Sequence, residues 1–191
     1  ELLRTADQLC QPDVVFITTS STLKLSDLAR SITRSESLVG LHLIPPVPEV
    51  SVAELVRCHR TADSAVEVVK NFAKRLGKEV IEINESVGLV NPRALLALIN
   101  EAAYMLDEGV GDAESTERII KESWGTVQGP LEMADRFGLD LVLNWMEQMH
   151  QTYGDRFAPC PLLYRYVRQK RLGVKTNLGF FSYNTEGKQE E

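Results

Sequence analysis

The sequence predicts an α/β part followed by an all-helical part, and three observations carry that prediction. Short apolar runs alternate with helical spacings through the first part of the chain. From about Glu85 onward, only helical periods separated by capping residues remain. At 191 residues and 43% hydrophobic, the chain is long enough to bury one core or two small ones. The change of pattern places a boundary near residues 84–88, giving parts 1–84 and 85–191.

The elements follow in order. "VVFIT" at 14–18 is a continuous apolar strand, and "LKLSDLARSI" after it has Leu23, Leu25, Leu28 and Ala29 near helical spacing. "SLVGLHLI" at 37–44 and "VSVAELV" at 50–56 are two more strands, joined by the proline-rich "PPVPE" turn. "TADSAVEVVKNFAKRLG" reads as a helix with Thr61 as N-cap, Val66, Val69, Phe72, Ala73 and Leu76 on one face, and Gly77 as its stop. "EVIEI" is a fourth strand. In the second part, "PRALLALINEAAYMLDEG" directs Leu95, Leu98, Ile99, Ala102 and Leu106 inward and stops at Gly109. Asp112 caps "AESTERIIKES", proline opens "GPLEMADRFG", Asp140 caps "DLVLNWMEQMHQTYG", and "PLLYRYVRQKRLG" is the last helix.

Composition excludes several roles. With 21 basic and 27 acidic residues, a formal charge of -6 and only "RQKR" at 168–171 as a basic run, the chain lacks the electrostatic footprint of a nucleic-acid binder. Cys10, Cys58 and Cys160 stand far apart without metal-ligand spacing, so they read as buried thiols of a reducing compartment, with no metal site. No apolar run approaches the roughly 18 residues that span a bilayer, and "ELLRTADQLCQ" is amphipathic rather than signal-like. The expectation is a soluble protein of the cytoplasm, or of the mitochondrial matrix in a eukaryote.

One of only three histidines, His42, lies in an apolar strand, and Glu54 is the single charge of the next apolar run, twelve residues on. A lone strand histidine is more often a satisfied core residue than a catalyst, but a buried carboxylate needs a partner. If the two runs are neighbours across "PPVPE", that partner is His42. A carboxylate on one imidazole nitrogen fixes the tautomer and raises the basicity of the other, as a general base requires. "TTSST" at 18–22 is a hydroxyl-rich turn after the first strand, at the strand end where open α/β sheets bind ligands; it reads equally as an N-cap. His59 and His150 sit in charged surroundings and read as solvated.

"FITTSSTLKLSDLA", "GLHLIPPVPEVSVAELV", "RLGKEV", "ESVGLV", "GPLEMADRFGLD" and "RLGVKTNLGFFSY" together resemble, in order and spacing through nearly all of the chain, the NAD-dependent L-3-hydroxyacyl-CoA dehydrogenases. The resemblance implies that residues 1–84 are the C-terminal part of a Rossmann-like NAD-binding domain, an α/β remnant, and that 85–191 form a helical dimerisation and substrate domain. It implies NAD as cofactor, an acyl-CoA substrate and a homodimer. By the same resemblance His42 is the catalytic base, Glu54 orients it, Ser21 bonds the substrate's 3-oxygen, and Thr19 and Ser21 lie on the cofactor side.

Three departures bear on activity. The family's "SNTS" is "TTSS" here, putting Thr19 for an asparagine; its "HFFNP" is "HLIPP", putting Pro45 for a second; and a substrate-site asparagine aligns with Pro92. Proline offers no side-chain donor, and each lost hydrogen bond reduces rate by about tenfold to a thousandfold when nothing compensates. Asn91 either takes over the substrate contact or serves as the helix N-cap ahead of Pro92. The family's G-x-G-x-x-G turn, which holds the cofactor pyrophosphate, has no counterpart: "GVGDAE" at 109–114 lacks the last glycine and lies between helices. The chain alone is therefore expected not to be a competent enzyme. Two alternatives stay open: a non-catalytic dimerisation or acyl-CoA-binding module, and a superfamily member acting on another hydroxy acid.

Overall fold

An eight-residue connection, residues 44–51 with three prolines, decides the topology of the first part, because a connection that short returns a strand antiparallel to its neighbour rather than crossing over. The computed structural model describes residues 1–189, in two compact units that divide after Pro92. The first unit runs α1 (Leu2–Leu9), β1 (Phe16–Thr18), α2 (Leu25–Ala29), β2 (Leu38–Leu43), β3 (Val52–Val56), α3 (Asp63–Arg75) and β4 (Glu79–Ile83). Its sheet has the order β1-β2-β3-β4. The steps spanned by α2 and α3 are parallel, and the β2–β3 step is antiparallel.

Period-two alternation divides the strand side chains between two cores. Leu38 and Val56 pack with Phe16, Leu25, Ala29 and Leu89. Val39, Leu41, Ala53 and Leu55 pack with Val66, Val69 and Ala73 of α3. His42 follows Leu38 and Gly40 in the same alternation, so it shares their side of the sheet. Gly40 allows a close approach of the strands there, since a Cβ on it would come within 3.1 Å of Val56 Cβ on the paired strand.

Several expectations are corrected here. The α2 helix has five residues and begins at Leu25, because the Ser20 hydroxyl accepts the Leu23 amide and holds residues 20–23 in a turn. Thr61 is not the cap of α3: its hydroxyl donates to Leu38 O and accepts from the Cys58 amide, and the helix starts two residues later. Phe72 of α3 and Leu76, its C-cap, are 43% and 47% exposed, since a helix lying on a sheet buries a narrower stripe than its full apolar face. Cys58 and Cys160 are buried as expected, but Cys10, at the end of α1, is exposed.

The second unit contains most of α4 (Asn91–Asp107), then α5 (Ala113–Trp124), α6 (Pro130–Phe137), α7 (Leu139–Tyr153) and α8 (Pro161–Arg168). Asp112 caps α5 by accepting the Ser115 amide at 2.7 Å, and Pro130 and Pro161 open α6 and α8. Asp140 is not a cap. Gly138 takes that place, and Asp140 lies inside the first turn of α7, paired with Lys175. On α4 the buried residues are Leu96, Ile99, Ala102 and Ala103, with Leu95 and Leu98 only half-buried. Buried Asn100 selects this face, donating to Ala158 O and accepting the Cys160 amide at 2.8 Å. Asp135 of α6 is fully buried and accepts the amides of Phe180 and Phe181 and the Tyr183 hydroxyl, tying the last residues of the chain to the helices. Among the described residues no helix is long and apolar enough to cross a membrane.

Candidate active site

Antiparallel register sets His42 of β2 directly opposite Glu54 of β3. Their side chains meet, with His42 Nδ1 2.7 Å from Glu54 Oε2. A carboxylate can only accept, so Nδ1 carries the proton and Nε2 keeps its lone pair for a substrate. Glu54 is 5% exposed. Its second oxygen, Oε1, accepts the amides of Val90 at 2.8 Å and Asn91 at 3.0 Å. Burial pushes the Glu54 carboxyl up, but the bond from His42 and then those from the Asn91 and Val90 amides outweigh it and hold the carboxyl below its ordinary value. The glutamate is thus ionised and fully bonded inside the fold.

The cleft beside His42 is lined by Thr18, Ser20, Leu23, Glu85 and Ser86. The "TTSST" turn therefore faces the histidine, and Thr18 and Ser20 are the hydroxyls of that turn that line the cleft. Thr19 is exposed. Ser21 is half-buried, and its carbonyl accepts the Gly88 amide at 2.7 Å. Asn91 stands at the first residue of α4 and contributes its main-chain amide to Glu54. His59 is exposed, and His150 bonds to Asp155 Oδ1 at 3.2 Å. Residues 85–92, which the sequence pattern assigns to the second part, bond back into the first unit: Glu85 Oε1 accepts the Ser26 amide at 2.5 Å, besides the Gly88, Val90 and Asn91 bonds. Glu85 and the two amides on Glu54 escape sequence reading. An amide belongs to every residue type, and Glu85 shows only as one acidic residue in a polar "NES".

Hydroxyls at the carboxyl end of a parallel strand suit the nicotinamide end of a dinucleotide, and the residues present fit that end. For the pyrophosphate the 191 residues hold no G-x-G-x-x-G.

Two family models cover almost the whole chain. "3-hydroxyacyl-CoA dehydrogenase, NAD binding domain" matches residues 1–86, and "3-hydroxyacyl-CoA dehydrogenase, C-terminal domain" matches residues 88–183. The chain belongs to the 3-hydroxyacyl-CoA dehydrogenase family. The first match shows the NAD-binding domain at residues 1–86, so the reading of residues 1–84 as only a remnant of that domain is not confirmed. The strand, hydroxyl turn, His–Glu ladder and returning helix form a connected sheet unit without a glycine turn. The "Probable 3-hydroxybutyryl-CoA dehydrogenase" of Bacillus subtilis is 35% identical over 184 residues, 96% of this chain and 64% of that one. The 3-hydroxybutyryl-CoA dehydrogenase of Bradyrhizobium diazoefficiens is 37% identical over 92% of this chain and 61% of its own. The crystal structure of (S)-3-hydroxybutyryl-CoA dehydrogenase PaaH1 from Ralstonia eutropha superposes with a TM-score of 0.88 at 32% identity, covering 96% of this chain and 65% of that one. The chain thus spans less than two thirds of the curated relatives' length.

Proposed function

We propose that this chain carries the proton-transfer site of an NAD-dependent oxidation of a 3-hydroxyacyl-CoA to the 3-ketoacyl-CoA. The observation that carries the proposal is the His42–Glu54 pair at 2.7 Å, with Nε2 free and the carboxylate ionised. Nε2 removes the proton of the 3-hydroxyl, Glu54 stabilises the imidazolium that forms, and a hydroxyl of the turn, assigned by resemblance to Ser21, bonds the 3-oxygen. NAD, when bound, supplies the acceptor for the hydride from C3. Thr19 and Ser21 belong to the cofactor side in this reading, with Thr18 and Ser20 beside them. The names of the Bacillus and Bradyrhizobium relatives support a short acyl chain. Residues 1–84 act as part of the nucleotide domain and 85–191 as the substrate and dimerisation domain, in a homodimer of the cytoplasm or mitochondrial matrix.

The test is NADH formation from 3-hydroxybutyryl-CoA by a fusion that places a relative's glycine-turn segment ahead of Glu1. Turnover abolished by His42→Ala is the expected result; a folded fusion that forms no NADH refutes the proposal. A second reading, a non-catalytic acyl-CoA-binding module, is favoured by Pro45 and Pro92, which replace asparagines of the family pattern. It requires acyl-CoA binding without turnover in the same fusion.

A further inference from the structure

The two carboxylate oxygens of Glu54 are divided between different elements. Oε2 holds His42 across the ladder, and Oε1 holds the amides of Val90 and Asn91 at the entry to α4. The same entry segment reaches the hydroxyl turn, because the Gly88 amide donates to Ser21 O at 2.7 Å. Its backbone is specialised for this. Gly88 and Leu89 both have left-handed φ, at 81° and 48°, and a left-handed leucine is uncommon. Leu89 is 7% exposed in the core with Phe16, Leu25 and Val56, so its buried side chain fixes the direction in which the following amides point. Val90, by contrast, is 61% exposed, so what that position gives the site is its amide and not its side chain.

We propose that residues 88–91 are a positioning clamp, which fixes the Glu54 carboxylate on His42 through the Val90 and Asn91 amides and the Ser21 turn through the Gly88 amide. The clamp explains two features otherwise unaccounted for. A buried carboxylate with one histidine partner would be free to rotate about its last bond, and the two amides remove that freedom. Pro92, where the family pattern has an asparagine, is compatible with the clamp, since the bonds to Glu54 come from the two residues before it and proline needs no amide in the first helical turn. The catalytic consequence rests on the dehydrogenase reading, but the clamp does not.

The experiment is an NMR titration of the 191-residue chain, labelled with 15N on the backbone and 13C on glutamate carboxyls, without substrate or NAD. In the native chain the amide protons of Val90 and Asn91 shift with the same midpoint as the Glu54 carboxyl, and Glu54→Gln abolishes that shift. In Asn91→Pro, which removes one donor at a position where proline suits a helix, the Glu54 midpoint rises. In Asn91→Ala, which keeps the amide, it stays at the native value. Val90 and Asn91 amides that do not move through the Glu54 titration overturn the proposal, as does an unchanged Glu54 midpoint in folded Asn91→Pro. If Asn91→Pro fails to fold, the native titration decides alone. None of these outcomes depends on whether the fusion turns over 3-hydroxybutyryl-CoA.

Discussion

At the scale of single residues, the site turns on what a carboxylate does when it cannot reach water. Glu54 is held ionised by three donors, and only one of them, His42, is a group that can react. Replacing it by glutamine keeps the size but lets the amide donate to Nδ1 or leave it unbonded, so the imidazole loses its fixed tautomer. In the fusion protein, Glu54→Gln should lower turnover by about a hundredfold while KM for 3-hydroxybutyryl-CoA changes little. Steady-state rates over a range of substrate concentrations check it, and a rise in KM alone would place Glu54 in binding. Pro92→Asn restores the family's side chain one residue beyond the clamp without touching its amides. It should raise turnover in the fusion; an unchanged rate means that this position does not limit the reaction. The His42–Glu54 pair was legible in the sequence because period-two alternation and a short turn leave one register that buries both. The amides of Val90 and Asn91 were not, and neither was the facing of Thr18 and Ser20, which depends on how a turn bends and not on residue type.

Secondary-structure elements were legible wherever a cap or a stop enforced them, and illegible where several faces competed. Gly77 and Gly109 end their helices with left-handed φ as their sequence positions imply, but the inward face of α4 was read only in part: Ile99 and Ala102 are buried as expected, while Leu95, Leu98 and Leu106 are half-buried because leucines stand on more than one side of the helix. The α6 helix shows how strongly one buried group can organise its neighbours. Asp135 accepts three donors from the residues after α8, and Gly173 and Gly179 come so close that a Cβ on either would collide with it. Gly179→Ala should therefore destabilise the second unit by about 1–3 kcal/mol or more, measured by urea unfolding. Burial raises the Asp135 carboxyl to about 6, despite the bonds from Phe181, Phe180 and Tyr183. A carboxyl raised on folding binds its proton more tightly in the native state, so its contribution is full at low pH and is lost as pH rises from about 4 to about 6. That loss is on the order of 3 kcal/mol. Unfolding free energies across this range should fall with pH in the native chain, and Asp135→Asn, although less stable overall, should lack that part of the slope.

At the scale of the whole molecule, the surface has to account for apolar residues that neither unit buries. In the second unit Ile119 and Trp124 of α5 are 65% and 60% exposed, and Val127, three residues after the helix, is 89% exposed. The α5 helix already spends its buried side on Thr116 and on Glu117, whose carboxylate accepts the Leu131 and Glu132 amides at the start of α6. Ile119 stands off that side, and Trp124, two turns beyond Glu117 on nearly the same face, lies past the buried stretch, so both remain exposed. The homodimer proposed above, if formed through this surface, covers them, and a two-fold interface counts each residue twice. Fully burying one large apolar side chain stabilises by about 1.5–3 kcal/mol, and Trp124 is already partly covered, so removing it from both copies costs about 2–4 kcal/mol of association. That corresponds to roughly thirtyfold to a thousandfold weaker dimerisation. Sedimentation equilibrium of the 191-residue chain should show a dimer at high micromolar concentration, and Trp124→Glu should shift it to monomer with the circular dichroism of the native fold. A native chain that sediments as a monomer would sink the dimer, and a Trp124→Glu variant that remains dimeric would place the interface on another face. NAD affinity in the same chain is a separate question, because the contacts proposed for it come from the hydroxyl turn of the first unit and these residues hold no glycine turn. Calorimetric titration should give a dissociation constant well above about 1 μM, whatever the state of association.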